Sequence, residues 1–502
     1  MTEAPTAALG AAPGPLRQRQ PHPDAQAPLA FGAHAREALA NANLQRALHH
    51  VKEGFQDKRL AAMDRLPEFD ALRDAARDIK DHVLAHLDIY LERFATAVEA
   101  RGGHVHWARD AAEARAMVLD ICRRENARTV TKGKSMVAEE IGLNPFLEEN
   151  GIEPVETDLG EYIVQLRGET PSHIIAPAIH VVKEEIADAF RREHEGLAPE
   201  RDLTDRRALL DEARVVLRRR YFQADVGITG ANFLVAETGS GVIVTNEGNG
   251  DMTRTLPRVH VALATIEKIV PTLDDLAVLL RVLARSATGQ DFSTYTTVYT
   301  GARRPDDPDG PEAFHVVLLD NGRSALLGGE LREVLRCIRC GACMNHCPVY
   351  QRVGGHAYGW VYPGPIGAIM TPALTAIATS HPLPNASTLC GRCEEVCPVR
   401  IPLPKLLRYW RTEAAAAGLP PLAERLGLTL WAWLARRPAL YRLAVRQIAR
   451  RLKARAGDRG ALRRLPLMGG WAGHWLQGRD LPAPQGRSFM DQWRAQKKGT
   501  RL

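Results

Sequence analysis

Seven of the eight cysteines lie between residues 337 and 397, and their spacing limits what this part of the chain can fold around. The first motif reads Cys337-x2-Cys340-x2-Cys343-x3-Cys347-Pro. Ferredoxins use this spacing to place three thiolates on one [4Fe–4S] cluster and the fourth on a neighbouring cluster. Zinc sites are built from CxxC pairs rather than from a triplet followed by Cys-Pro. The motif therefore predicts iron–sulfur ligation.

The second motif, Cys390-x2-Cys393-x3-Cys397-Pro, lacks its first cysteine, and Ser387 stands at the matching position. The ferredoxin crossover then predicts two [4Fe–4S] clusters that share seven thiolates. Cluster 1 receives Cys337, Cys340, Cys343 and Cys397, and cluster 2 receives Cys347, Cys390 and Cys393. Three alternatives stay open for cluster 2: ligation by the Ser387 oxygen, an iron that binds water or an outside group, or a [3Fe–4S] cluster. Ser387 is also typical of an ordinary loop or N-cap serine.

After residue 103, short segments with a strand pattern alternate with segments that have a helical pattern. This order predicts an α/β domain with a parallel sheet. Strands are expected at 104–108, 128–133 and 152–157, with helices at 110–126 and 135–151 between them. Two further strands within 226–250, and strands within 260–270 and 314–322, complete the sheet. Ser135 is expected to cap its helix. Cys122, in the first of these helices, is expected to be a buried apolar residue.

A chain of 502 residues is too long for one core, so several domains are expected. We predict a disordered Ala/Pro-rich leader over 1–30, without an export signal, and a helical segment over 31–100. The α/β domain follows over 101–328, and the two-cluster domain over 329–410. A basic, Trp-rich helical region over 411–502 ends the chain, and Pro438 is expected to divide its main helical stretch.

The loops at the predicted strand ends offer parts of an anion site. Lys132 and Lys134 flank Gly133 between a strand and a helix, where a carboxylate would meet two ammonium groups and free backbone N–H groups. The candidate catalytic residues are Lys132, Lys134, Glu237, Asn246 and Glu247, and the catalytic site is otherwise unknown. His173 and His180 are candidate bases, with a structural role as the alternative. No GxGxxG, Walker or flavin motif supports a nucleotide cofactor.

Charge is divided unevenly along the chain. Residues 401–502 contain 21 Lys and Arg against 5 Asp and Glu, whereas the rest of the chain is acidic. A basic helical tail indicates docking on an acidic partner or contact with an anionic membrane surface, and no nucleic-acid motif accompanies it. No run of about 18 apolar residues is present, and clustered thiolates indicate a reducing compartment. We therefore predict a cytoplasmic protein, with peripheral contact at the inner face of the membrane left open.

Residues 35–500 resemble the lactate utilisation protein B family. TKGKSMVAEEIGLN (131–144), GITGANFLVAETGS (227–240) and TNEGNGDMTRTLPRVHVAL (245–263) resemble its LUD domain, a fold of the sugar-isomerase/CoA-transferase type. CIRCGACMNHCPVY (337–350) and LCGRCEEVCPV (389–399) resemble its cluster domain, including the missing eighth cysteine.

The resemblance implies the iron–sulfur electron-transfer subunit of a complex that oxidises L-lactate to pyruvate. It also implies two partners, a cysteine-rich subunit and a second, smaller LUD-domain protein. Two other functions stay open: electron transfer for another 2-hydroxy-acid dehydrogenase, such as one acting on glycolate, and redox sensing by an open cluster.

Overall fold

The computed structural model describes residues 23–198, 200–457, 460–462 and 480–497. The chain forms two compact units that divide between Leu419 and Pro420. The leader up to residue 22, and the tail segment that contains Trp471 and Trp475, lie outside the described residues. Within them, no helix is both long and apolar enough to cross a membrane.

The first unit contains the predicted α/β core. Its ten strands are β1 (His104–Ala108), β2 (Thr129–Lys132), β3 (Glu153–Glu156), β4 (Val226–Gly230), β5 (Phe233–Val235), β6 (Ser240–Thr245), β7 (Val259–Thr265), β8 (Ile269–Val270), β9 (Tyr295–Tyr299) and β10 (Ala313–Leu319). Six of them form a wholly parallel sheet in the order β1-β10-β7-β4-β2-β3. The predicted α/β class is confirmed, because the sheet is wholly parallel and its central strands β4 and β7 are buried on both faces, as crossover helices require.

A second, smaller sheet was not expected. It has the order β8-β5-β6-β9, in which β6 pairs antiparallel with both β5 and β9. The segment 226–250 therefore forms three strands rather than two, because the turn around Gly239, at φ +64°, folds β5 back on β6. Strand β9 lies in a Tyr/Thr-rich segment for which the sequence analysis predicts no strand.

Helices cover both faces of the large sheet and form the N-terminal segment. They are α1 (Phe31–Ala40), α2 (Ala42–His49), α3 (Lys58–Asp64), α4 (Phe69–Ala85), α5 (Leu87–Glu99), α6 (Ala111–Arg124), α7 (Met136–Glu140), α8 (Leu143–Glu149), α9 (Leu159–Leu166), α10 (Lys183–Glu193), α11 (Arg206–Gln223), α12 (Asn249–Thr255) and α13 (Leu273–Thr288). The helix predicted at 135–151 is broken into α7 and α8 because Gly142 adopts φ +61°. Ser135 caps α7 as predicted, accepting a bond from the Ala138 N–H.

The cysteine region consists of short helices and turns. Its helices are α14 (Ala342–Asn345), α15 (Tyr350–Val353), α16 (Gly364–Leu374), α17 (Ile377–Ser380), α18 (Arg392–Glu395) and α19 (Leu403–Ala416). Ordered chain begins before the expected residue 31, because a 3₁₀ turn at Ala27–Ala30 buries Pro28 and packs close to Gly359.

A buried ionic network joins the sheet domain to the cysteine region. The Arg323 guanidinium donates to both carboxylate oxygens of Glu140 on α7, and its Nε lies 3.1 Å from Glu267 Oε2. The Tyr362 hydroxyl of the cysteine region donates to the same Glu140 carboxylate. Arg323 and Glu140 have no exposed side-chain surface, so separation of the two regions would remove a hydrogen bond from a buried carboxylate.

The second unit is helical. It comprises α20 (Leu422–Ala435), α21 (Pro438–Ala456) and α22 (Phe489–Lys497), with a two-residue strand pair β11 (Ala461–Leu462) and β12 (Leu481–Pro482). Pro438 begins α21, so the predicted division of the stretch at this proline is confirmed. Arg446 pairs with Asp491 and ties α21 to α22.

Candidate functional site

A cavity of about 300 Å³ lies at the carboxyl ends of the central strands of the parallel sheet. Its walls include the loop 133–135 after β2, the loop 230–232 after β4 and the loop 245–250 between β6 and α12. Ligands of open α/β sheets bind at this edge, because the loops that follow parallel strands converge there. The cavity is large enough for a small organic acid.

Three cations line the cavity: Lys134, Lys268 and Arg339. Neither lysine forms an ion pair with a carboxylate within the part of the chain that the structure describes. Burial and the neighbouring Arg339 lower the pKa of Lys268 to about 8. These side chains therefore give one part of the cavity a positive charge that no direct ion pair of the two lysines neutralises within the described residues.

Arg339 is the most constrained of these cations. Its side chain is 8% exposed, and its guanidinium lies 4.5 Å from the Tyr362 ring centroid. Nη2 has one long contact of 3.5 Å with Glu267, and the buried Nη1 has no hydrogen-bond partner among the described residues. Burial would raise the pKa of Glu267, but Arg323 and Arg339 lower it to about 2, so this carboxylate is ionised.

Two carboxyl groups, those of Asp158 and Glu247, also line the cavity. Asp158 caps α9 by accepting bonds from Gly160 and Glu161, and Glu247 accepts one from the Leu159 N–H. Desolvation of the Glu247 carboxyl group and the charge of Asp158 raise its pKa to about 7. Glu247 can therefore hold or release a proton near neutral pH.

The sequence-predicted candidates do not all reach this cavity. Lys134, Asn246 and Glu247 line it, and Asn246 bonds with Gln290 and Thr294. Glu237 lies outside it, and its carboxylate accepts a bond from the Leu273 N–H at the start of α13.

The expectation that one carboxylate meets both Lys132 and Lys134 is wrong. The Lys132 ammonium is fully buried, 2.7 Å from Glu156 Oε1 and 3.1 Å from Glu139 Oε1. Glu161 lies buried beside this group, with no hydrogen-bond partner for either oxygen in the described part of the chain, and desolvation raises its pKa well above the ordinary value. Lys132 therefore neutralises a cluster of buried carboxylates and does not line the cavity.

His173 and His180 hold the loop that follows α9. The His173 ring contacts Asn345 Oδ1 through Nε2 at 2.9 Å, and its Nδ1 accepts bonds from Ile175 and Ala176. Burial lowers the pKa of His173 to about 3, so the ring is neutral and fully engaged. His180 contacts Glu169 at 2.7 Å, and neither histidine lines the cavity.

The seven cysteines of the two motifs lie close together. One small pocket is lined by Cys337, Cys340, Cys343 and Cys397. Cys347, Cys390 and Cys393 interact electrostatically with one another in a second group. Cys122 is buried in α6, away from both groups, as expected for an apolar residue.

The two motifs share one backbone conformation. Arg339 and Leu389, each just before a cysteine, adopt φ +59° and +53°, and Gly341 and Gly391, each just after it, adopt φ +73° and +83°. This repeat aligns Ser387 with Cys337. The Ser387 hydroxyl accepts a bond from the Leu389 N–H at 3.1 Å, which is an ordinary role for a loop serine.

The donor set fits iron–sulfur clusters. Backbone N–H groups point at the sulfurs, for example Ile401 N at 3.3 Å from Cys397 Sγ, and such bonds stabilise cluster thiolates. The buried Tyr358 hydroxyl has no partner in the described residues and interacts electrostatically with Cys347, Cys343 and Cys393. A polar group without a partner among cysteines is expected where a cluster sulfur accepts its hydrogen bond.

The cavity and the first cysteine pocket share a wall. Ile174 and Arg339 line both spaces. Arg339 reaches this position because it lies between Cys337 and Cys340 in the sequence. Arg339 and Lys268 were not among the predicted site residues, since neither stands in a motif of substrate-binding spacing.

Fold and site together define an iron–sulfur electron-transfer protein built on an α/β domain. Residues 91–319 match the LUD domain model, residues 333–401 match the 4Fe-4S dicluster domain, and residues 416–498 match the C-terminal region of lactate utilisation protein B.

Relatives match over nearly the whole chain. Lactate utilization protein B of Bacillus licheniformis is 42% identical over 470 residues, 93% of this chain and 97% of its own. The Bacillus subtilis protein of the same name is 40% identical, covering 92% and 95%. The uncharacterized electron transport protein YkgF of Escherichia coli is 42% identical, covering 91% and 95%. The chain belongs to the lactate utilisation protein B family, and its role is iron–sulfur electron transfer in lactate utilisation.

Proposed function

We propose that the chain is a subunit of an oxidoreductase complex that converts L-lactate to pyruvate, and that it holds two [4Fe–4S] clusters. Cys337, Cys340, Cys343 and Cys397 would hold cluster 1, and Cys347, Cys390 and Cys393 would hold cluster 2. When bound, the clusters supply one-electron transfer. The LUD cavity would hold the substrate.

The wall shared by the cavity and the first cysteine pocket carries this proposal. Ile174 and Arg339 are the side chains that line both spaces, so a molecule in the cavity lies next to the cysteines of cluster 1. Oxidation of a 2-hydroxy acid needs an electron acceptor close to the substrate, and a protein that only stored or sensed electrons would not require such a cavity.

The chain's own residues would position the substrate and exchange protons with it. The cations of the cavity attract a carboxylate, and Ile174 with Leu283 and Ala287 offers an apolar surface for a methyl group. Glu247, whose pKa is raised to about 7 by desolvation and Asp158, can exchange a proton at the cavity mouth.

Lactate utilisation implies partner subunits, and we propose a cysteine-rich subunit and a smaller LUD-domain protein. The second unit would provide a contact surface. Its helix α20 exposes Leu422, Leu426, Leu430, Trp431 and Trp433 beside a large excess of positive charge. An exposed apolar and basic helix fits an acidic partner or the inner face of an anionic membrane. Co-sedimentation with anionic and neutral vesicles, and pull-down of the partners, would separate these two contacts.

Anaerobic purification of the assembled complex followed by addition of L-lactate tests the function. We expect the iron–sulfur absorption at about 400 nm to bleach. A Cys340→Ala variant should lose this response, and Cys122→Ala should keep it because Cys122 lies outside both cysteine groups. Bleaching by glycolate but not by L-lactate would favour another 2-hydroxy acid. No bleaching with either acid, in a complex with fully loaded clusters, would contradict the proposal.

A further inference from the structure

We propose that Arg339 and Lys268 form an anion subsite in the wall between the cavity and the first cysteine pocket. Its ligand would be the carboxylate of a small 2-hydroxy or 2-oxo monocarboxylic acid. This inference rests on the proposed function, because it assigns the group that orients the substrate in the same cavity.

Arg339 supplies the first observation. Its Nη1 is buried and has no partner within the described residues, and its only ionic contact is the 3.5 Å approach of Nη2 to Glu267. A buried cationic N–H without an acceptor costs free energy, so such groups are rare in the absence of a ligand. A guanidinium also presents parallel N–H groups that match the two oxygens of a carboxylate.

Lys268 supplies the second observation. It follows β7 in a short 3₁₀ turn, lines the cavity and has no hydrogen bond or ion pair among the described residues. Lys268 and Arg339 line the same cavity, and the charge of Arg339 contributes to the lowered pKa of Lys268. Two neighbouring cations whose nearest carboxylate, Glu267, also pairs with Arg323 favour an anion between them.

The surrounding carboxylates do not neutralise Arg339 and Lys268. Glu267 is the carboxylate nearest to both groups, but it also pairs with the fully buried Arg323. Lys80 adds another buried ammonium, which donates to the Glu267 backbone carbonyl. The local set therefore holds more cations than carboxylates. The cysteine thiolates are the competing source of negative charge, and the experiment must separate them from an added acid.

The backbone repeat between the two motifs isolates the role of the arginine. Leu389 occupies the position equivalent to Arg339 with nearly the same φ, so a cysteine turn of this kind does not require a guanidinium. Leu389 does not line the cavity, whereas Arg339 does. Arg339→Leu is therefore a matched substitution, which removes the cation and keeps a residue type that tolerates this backbone conformation.

The test is isothermal titration of the cluster-loaded protein with L-lactate, pyruvate and glycolate, and with neutral 1,2-propanediol. We expect the acids to bind and the diol not to bind. Arg339→Leu and Lys268→Gln should each weaken binding of the acids at least about 10-fold, the loss expected for a charged hydrogen bond. Lys58→Gln, which removes an exposed lysine outside the cavity, should bind like the unmodified protein.

Cluster absorbance and circular dichroism show that each variant is loaded and folded. If Arg339→Leu loses its clusters, Lys268→Gln decides the question, because Lys268 lies in the sheet domain. Unchanged affinity in Lys268→Gln, or no binding of any acid to the unmodified protein, would overturn the subsite.

The subsite and the proposed function can fail separately. If L-lactate bleaches the complex while both variants bind acids normally, the function stands and the subsite is wrong. If pyruvate or glycolate binds through Arg339 and Lys268 but L-lactate bleaches nothing, the subsite stands and the lactate function is wrong.

Discussion

Replacement of Lys132 by methionine separates a structural lysine from a catalytic one. In the structure its ammonium neutralises Glu139 and Glu156, with Glu161 buried beside them. Methionine fills a similar volume but leaves three buried carboxyl groups without a cation. We therefore expect a large loss of stability, with the cavity lining intact.

The size of the loss follows from the need to neutralise a buried carboxylate. An unfolded glutamate has a pKa of about 4.3, so holding one protonated in the folded state at pH 7 costs roughly 3.7 kcal/mol, at about 1.36 kcal/mol per pH unit. This agrees with about 3–5 kcal/mol for removal of one partner from a buried ion pair. For a unit of about 400 residues, with an unfolding entropy of about 2.1 cal/mol/K per residue, the melting temperature should fall by roughly 3–6 °C.

The loss should depend on pH in a defined direction. Above pH 4.3 the folded variant holds at least one more proton than the unfolded chain, so its free energy of unfolding falls as pH rises. One such proton makes the penalty about 2.7 kcal/mol smaller at pH 5 than at pH 7. The raised pKa of Glu161 contributes with the same sign to both proteins and cancels in the comparison.

Urea unfolding and melting curves at pH 5, 6 and 7, followed by circular dichroism, measure these differences. Lys58→Met is the control, because Lys58 is exposed and forms no ion pair among the described residues. A change below about 1 kcal/mol at pH 7, without pH dependence, would refute the structural role of Lys132. Loss of lactate-driven bleaching in a variant of unchanged stability would instead restore Lys132 as a site residue.

Three further predictions concern the cysteine groups and the cavity mouth. Tyr358→Phe should lower a cluster reduction potential by roughly 20–60 mV in an EPR-monitored redox titration, because loss of a hydrogen bond to sulfur destabilises the reduced state. Unchanged potentials would show that the hydroxyl does not donate to a cluster. Ser387→Cys should supply the eighth thiolate and slow iron release to a chelator. Equal release rates in the two proteins, or Mössbauer spectra of the unmodified protein that show eight thiolate-ligated irons, would contradict an iron without a thiolate in cluster 2. The affinity of the cavity for a carboxylate should fall as pH rises through about 7, because Glu247 becomes negative there. In calorimetric titrations, Glu247→Gln should make this affinity less dependent on pH. An equal pH dependence in both proteins would assign the titration to another group.

The sequence predicts the large sheet well because its strands are short, apolar and separated by helices of clear period. It also predicts the Ser135 cap and the division of the tail at Pro438. The small sheet is harder to foresee, since strand β9 comes from a segment with little apolar alternation and pairs with a distant hairpin. Pairing of this kind depends on tertiary contacts rather than on local pattern.

Lys132 and Lys134 look equivalent in the sequence, yet the structure gives them different environments. Lys132 is the last residue of β2, and its ammonium points toward the carboxylates of α7 and β3. Lys134 lies beyond the end of the strand, in the loop before α7, where it lines the cavity. A signal for this was present, because Glu139 and Glu161 stand in otherwise apolar, buried helices that need a cation nearby. Lys268 gave no such signal, since it reaches the cavity from a turn whose position depends on the whole sheet.

Arg339 shows why motif spacing finds ligands but not their neighbours. The spacing predicts the cysteines because the geometry of a cluster fixes their separation, while the residues between them are free to vary so long as they accept the turn. Leu389 accepts that turn in the second motif, with the same positive φ as Arg339. The turn therefore explains neither the charge of Arg339 nor its unpartnered Nη1. What differs between the two positions is the cavity, which Arg339 lines and Leu389 does not. The turn does not require this charge, and Glu267 contacts it only at 3.5 Å through Nη2, so the remaining N–H groups can bind a ligand on the cavity side of the wall shared with the first cysteine pocket.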